Sequence, residues 1–122
     1  MVGTTSGVRV TPDGTDVHLT IFAGKTLRFA IIWGGFEPID ITGWTAKLQV
    51  RNKKSQLIFS LSTDDGSIVN EGGTGRIWLN ATPEQTSLLK ESGRYELELT
   101  DSIGNVFRAL SGFVSVEVDV VQ

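Results

Sequence analysis

Few side chains in this sequence could carry a chemical reaction. His18 is the only histidine among 122 residues, and cysteine is absent. A relay of serine, histidine and aspartate could therefore be built only around His18. That residue lies between Val17 and Leu19, where apolar and polar residues alternate, and it falls on the polar face. We interpret His18 as a solvent-facing strand residue rather than as a general base.

Carboxylates in two loops could bind a metal ion. Asp64 and Asp65 precede a glycine and could offer oxygens to calcium, joined by Asp101 or Asn105 if the two loops met. Calcium takes about six to eight oxygen ligands, so the aspartate pair alone supplies too few. The sequence therefore predicts no metal site and no other cofactor.

A second pair of carboxylates, Glu96 and Glu98, lies two residues apart on one strand face. In a glycosidase, burial must keep one carboxyl of such a pair protonated, so that this group can act as the general acid. Because these two residues alternate with apolar ones, we expect both carboxylates to face water. With no convincing acid, base or nucleophile in the sequence, we expect that the protein is not an enzyme and has no catalytic residue.

Three tryptophans remain as candidates for binding. Trp33 and Trp44 each share a face with apolar residues at every second position, so both are expected in the core. Trp78 lies opposite Ile77 and Leu79 and is the tryptophan that we expect to be most exposed. An exposed tryptophan is typical of a contact surface, either for a sugar ring or for another protein.

Alternation of apolar and polar residues along most of the chain predicts the elements that hold these side chains. Clear runs cover residues 75–80, 95–100 and 113–119, and turn signals recur about every ten residues. After the first run, Thr82 and Gln85 have the spacing of a capping box. We predict an all-β domain, a single antiparallel, immunoglobulin-like β-sandwich of eight or nine strands with one short helical turn.

Composition and charge restrict the possible partners. Hydrophobic residues make up 39% and charged residues 20%, which are ordinary values for a globular domain. The net charge of −3 lacks the basic excess of a nucleic-acid-binding protein. No apolar run has the length of a membrane span, and the first residues lack the features of a secretion signal. We expect neither nucleic acid nor a membrane as a partner. We also expect a flexible arm over residues 1–7 and the sandwich over residues 8–122.

Five segments, in order, resemble a known family. Residues 40–51 are similar to a "dlTGwta…vR" strand, residues 75–79 to a "G-x-I-x-L" strand, and residues 93–99 to a "G-x-Y-x-x-E-L" strand. Residues 101–105 resemble a "D-x-x-G" turn, and residues 110–114 resemble the step into a valine-rich final strand. The series resembles the LtfC-like β-sandwich domain of minor tail and collar proteins in long-tailed bacteriophages.

This resemblance implies a structural protein of the virion, made in the host cytoplasm and placed on the tail as a collar, ring or fibre-anchoring subunit. Its partners would be other virion proteins of the tail tube, baseplate or fibre, and copies of itself. A capsid decoration protein and a carbohydrate-binding module for host surface sugars are the alternatives. The residues that we expect at the contact surface are Trp78, Val2, Thr4, Asp64, Asp65 and Glu71.

Overall fold

The computed structural model describes residues 7–10, 16–33 and 39–118. Within these ranges the strands are β1 (Gly7–Val10), β2 (Leu19–Ala23), β3 (Leu27–Trp33), β4 (Thr45–Arg51), β5 (Leu57–Ser62), β6 (Ile68–Asn70), β7 (Arg76–Ala81), β8 (Gly93–Thr100) and β9 (Val106–Val118). A short helix, α1, spans Pro83–Ser87. A second short helical element, a 3-10 turn, spans Gly72–Thr74. The prediction of an all-β chain with eight or nine strands is confirmed, but the described residues contain two short helical turns where the sequence predicts one.

The strands form two sheets that enclose one core. The four-stranded sheet has the order β1-β3-β7-β6, and the five-stranded sheet has the order β2-β9-β8-β4-β5. Most neighbours run antiparallel, but β1 runs parallel to β3, and β2 runs parallel to β9. The prediction of wholly antiparallel pairing is therefore wrong for two pairs, because alternation reports which face is buried and not the direction of the neighbouring strand. The finer, immunoglobulin-like assignment stays a prediction.

Alternate side chains of each strand fill the space between the sheets. In β7, Ile77 and Leu79 are buried, and in β8, Tyr95, Leu97 and Leu99 are buried. The residues between them point to the outer faces, where they are half-buried. This arrangement is the pleat of an extended strand with one face against a core, as the sequence pattern predicts.

A bulge in β9 reverses which of its positions face the core. Leu97 pairs with Leu110, and the next residue of β8, Glu98, pairs with Arg108. Ala109 is the extra residue, and both Ala109 and Leu110 are buried. A bulge of this kind bends the strand and increases its twist. Before the bulge the odd-numbered residues face inward, and after it the even-numbered residues do.

Helix α1 packs against β2 and β7. Thr82 Oγ1 accepts a hydrogen bond from the Gln85 backbone, and Gln85 Oε1 accepts one from the Thr82 backbone, so the predicted capping box is confirmed. The sequence predicts that Leu88 and Leu89 pack this turn over the open end of the sandwich; Leu89 is buried, but Leu88 is 70% exposed, so the prediction is wrong for Leu88. Among the helices of the described ranges, none is long and apolar enough to cross a membrane.

Three aromatic rings pack together where β3 ends and where β4 and β9 begin. The ring centroids of Trp33 and Trp44 are 6.3 Å apart in an edge-on arrangement. Phe107 stacks on Trp44 at 5.8 Å and lies 5.9 Å from Trp33. Trp33 is fully buried, which confirms its predicted core position, whereas Trp44 is only partly buried and packs against the core from its margin.

The chain runs alongside β9 at Gly112, just before β2 begins, since Asp16 bridges Ser111 in the same parallel register that pairs Leu19 with Val114. A β-carbon on Gly112 would lie 2.3 Å from the carbonyl oxygen of Val17, and the residue has a φ of 150°. The Val17 N–H donates to the carbonyl oxygen of Ser111 at 2.8 Å. Tyr95, which pairs with Gly112 across the sheet, donates its hydroxyl to the Val17 carbonyl oxygen at 2.6 Å. These contacts fix the lead-in to β2 against β9.

We expect Gly112→Ala to destabilise the fold by at least about 2 kcal/mol, because the new methyl group would meet backbone rather than a movable side chain. The measurement is the free energy of unfolding by urea. Gly73→Ala is the matched control, since a β-carbon there has open space around it. Equal stability of the two variants would contradict this account of the close approach between Val17 and Gly112.

Tyr95→Phe should lower stability by about 1 kcal/mol at neutral pH, because the Val17 carbonyl loses its donor. Burial, and next the negative charge of Asp16, raise the pKa of the Tyr95 hydroxyl. The unfolded chain releases this proton near pH 10, so the stability of the parent protein should fall as the pH rises above about 10. Thermal unfolding across this pH range should show a smaller loss of stability for Tyr95→Phe than for the parent protein. An identical loss would contradict the role assigned to the Tyr95 hydroxyl.

Candidate contact surface

Trp78 lies on the outer face of the four-stranded sheet, where the sequence predicts it, and it is half-buried. Its indole N–H donates to the carboxylate of Glu71, which also lies 3.8 Å from the Arg76 guanidinium. The Arg28 guanidinium lies 4.6 Å from the ring centroid, within cation–π range. The ring is therefore held by side chains of the chain itself, and part of its face is covered by arginine.

Side-chain hydrogen bonds of Asn70 fix the backbone next to Glu71. The Asn70 amide nitrogen donates to the carbonyl oxygens of Ile41 and Trp44, at 2.8 Å and 3.0 Å. Its amide oxygen accepts from the Gly72 N–H at 2.6 Å. Glu71 and Trp78, two of the six predicted contact residues, are thus brought together in a hydrogen-bonded arrangement.

Asp64 and Asp65 lie in the turn between β5 and β6, and they have different roles there. Asp65 Oδ1 accepts from both the hydroxyl and the backbone N–H of Ser67. The hydroxyl bond and then the backbone bond lower the pKa of this carboxyl. Asp64 is exposed and lines one hollow of about 310 Å³ with Glu98 and Thr100. The other two predicted contact residues, Val2 and Thr4, lie outside the described residues.

The side chains that were candidates for catalysis contact other side chains of the fold. His18 Nε2 lies 2.7 Å from the hydroxyl of Ser115, on the outer face of the five-stranded sheet. Glu96 lies 3.9 Å from the Arg108 guanidinium. In the part of the chain that the structure describes, no three histidine, aspartate or glutamate side chains gather closely enough to hold a metal ion.

Sequence reasoning missed a cationic groove on the outer face of the five-stranded sheet. Arg51, Arg94 and Phe113 are direct cross-strand neighbours on β4, β8 and β9. With His18 and Lys53 they line a groove of about 570 Å³. Phe113 is 59% exposed, and the Arg94 guanidinium lies 4.5 Å from its ring centroid. We call this set of five residues the cationic groove.

The sequence did contain a signal for the groove. Within the run 113–119, Phe113 shares its face with Ser115 and Glu117, so the pattern already places a phenylalanine on a polar face. The juxtaposition of Arg51 with Arg94 could not be found this way, because it depends on the register between two strands 43 positions apart in the sequence.

Asp65→Asn should make the free energy of unfolding depend less steeply on pH in the acid range. Because the folded state lowers the pKa of Asp65, this carboxylate stabilises the fold above about pH 4, and that contribution is lost as the pH falls through its folded value. Urea unfolding between pH 2 and pH 6, roughly the range in which carboxylates titrate, is the measurement. Asp64→Asn is the control, since its carboxylate takes no part in the Ser67 bonds; an unchanged slope in Asp65→Asn would contradict the assignment.

The sequence matches no family model and no curated protein. Its fold does match solved structures, among them the N-terminal domain of ORF48 from phage TP901-1. The two chains share 10% sequence identity with a TM-score of 0.55, over 93% of this chain and 98% of the other. At this identity the likeness shows the fold, and the protein therefore has the fold of a domain that occurs in a bacteriophage protein.

Proposed function

We propose that this chain is a non-enzymatic structural subunit of a bacteriophage virion, and a minor component of the tail such as a collar, ring or fibre-anchoring subunit. The observation that carries the proposal is the shared fold with a phage domain over nearly the whole length of both chains. The ordered motif series of the LtfC-like tail domains supports the same location, and membership of that family is part of the proposal.

The mechanism that we propose is packing among many copies. In a symmetric particle each subunit needs only a modest interface, because its neighbours hold it at a high effective concentration. The partners would be tail-tube, baseplate or fibre proteins and further copies of this chain. The contact residues proposed from the sequence include Trp78 and Glu71, which the fold holds side by side.

The side chains that could have suggested an enzyme have roles in the fold. His18 contacts Ser115, Asp65 organises its own turn, and Glu96 faces Arg108. A sugar-stacking role for Trp78 is less favoured than protein contact, because the Arg28 guanidinium lies over the ring that a sugar would use. We therefore place the carbohydrate-binding alternative second.

The test is immunogold electron microscopy of purified virions with an antibody raised against this chain. We expect gold confined to the tail, its collar or its tip, and loss of that gold when the antibody is first absorbed with the purified chain. Gold over the head would replace the tail assignment with a capsid decoration protein. No gold on intact particles would overturn the virion role and leave the carbohydrate-binding module as the better hypothesis.

A further inference from the structure

We propose that the cationic groove receives the 101–105 turn of a second copy of this chain, so that copies associate head to tail. The inference deepens the proposed function, on which it rests for its place in a particle, since it names one contact by which copies pack.

The groove contains a like-charge pair, Arg51 and Arg94, which also borders a neighbouring hollow lined by Glu96 and Glu98. Arg51 and Arg94 occupy directly paired positions on β4 and β8, and like charges placed opposite each other destabilise a sheet. None of the described residues that line the groove is acidic. Phe113 adds an apolar floor that is 59% exposed, although the Arg94 guanidinium lies over its ring at 4.5 Å. The groove therefore fits an occupant that combines a small apolar side chain with carboxylates.

The opposite end of the same sheet presents such a feature. The turn between β8 and β9 carries Ile103 at its tip, and this side chain is 83% exposed. Asp101 stands at the base of the turn, and Asp64 lines the same hollow as Thr100, the last residue of β8. An apolar tip with one carboxylate at its base and a second at the same end of the sheet complements an apolar floor with arginines beside it.

The turn has a fixed shape before it meets a partner. Asp101 Oδ1 accepts from the backbone N–H groups of Ile103 and Asn105, at 3.0 Å and 2.8 Å. Asp101 Oδ2 accepts from the Asn105 side chain at 2.9 Å. A loop that is already held in one conformation loses less entropy on binding. Ile103 is thus presented to solvent by a turn that its own hydrogen bonds hold together.

The two surfaces lie at opposite ends of one strand. Strand β8 begins with Gly93 and Arg94 at the groove and ends at Thr100 beside the turn, a length of about 25 Å for its eight residues. A contact between different surfaces of two copies is heterologous, and repetition of a heterologous contact closes into a ring or continues as a filament. The proposed contact thus supplies the kind of repetition that a ring of subunits requires.

The test is sedimentation velocity of the 122-residue chain over a concentration series, at low and at high salt. We expect a sedimentation coefficient that rises with concentration, and an association that salt weakens because the contact pairs charges. Ile103→Ser, Arg94→Asp and Asp64→Arg should each weaken the association at least about tenfold. An equimolar mixture of Arg94→Asp and Asp64→Arg should associate again, because the intact groove of one variant meets the intact turn of the other.

Lys90→Asp is the control for charge, since it makes the same charge change as Arg94→Asp at an exposed position outside the groove. Leu88→Ser is the control for Ile103→Ser, because Leu88 is also exposed but lies after helix α1. Both controls should associate like the parent chain, and matching thermal unfolding should show that every variant is folded.

A parent chain that stays monomeric at every concentration would overturn the proposal, as would groove and turn variants that associate like the parent. Binding of an anionic polysaccharide in the groove by a chain that remains monomeric would also overturn it. Because sedimentation is measured on the isolated chain, this failure would leave the virion assignment to be decided by gold labelling alone.

Discussion

The close approach of Val17 to Gly112 is the constraint on which the β2 edge of the five-stranded sheet depends. At this point the lead-in to β2 runs alongside β9 and leaves no space for a side chain at residue 112. Tyr95 of β8 donates its hydroxyl to the Val17 carbonyl oxygen of this lead-in. One glycine, one hydroxyl and one carbonyl thus join three strands, and β9 can pair with β2 on one side and β8 on the other.

Much of the fold could be predicted from the sequence because burial imposes a period of two on an extended chain. The inward positions of Ile77, Leu79 and Leu97, and the outward position of Trp78, follow from that period. The parallel direction of β1 and β2 could not be predicted, because parallel and antiparallel strands show the same alternation. The bulge at Ala109 also escaped prediction, because one extra residue changes the inward set without any change in composition.

The candidate contact surface was predictable only in part, for a different reason. The exposure of a side chain follows from its own strand, so Trp78 and Asp64 could be named from local pattern. What those residues touch depends on distant segments: Arg28 over Trp78 requires the pairing of β3 with β7. The cationic groove likewise exists only when β4, β8 and β9 lie side by side. Pairing register, rather than composition, decides which charges become neighbours.

The position of β9 between β2 and β8 also determines when the domain can finish folding. Strand β2 is synthesised early, yet its partner begins to pair only after residue 114 has been made, and the hydrogen bond between Asp16 and Ser111 spans 95 positions. Long-range pairings of this kind close large loops and fold slowly. Among the described residues, β2 pairs within its sheet only with β9, so the native pairing of β2 has to wait until β9 has left the ribosome.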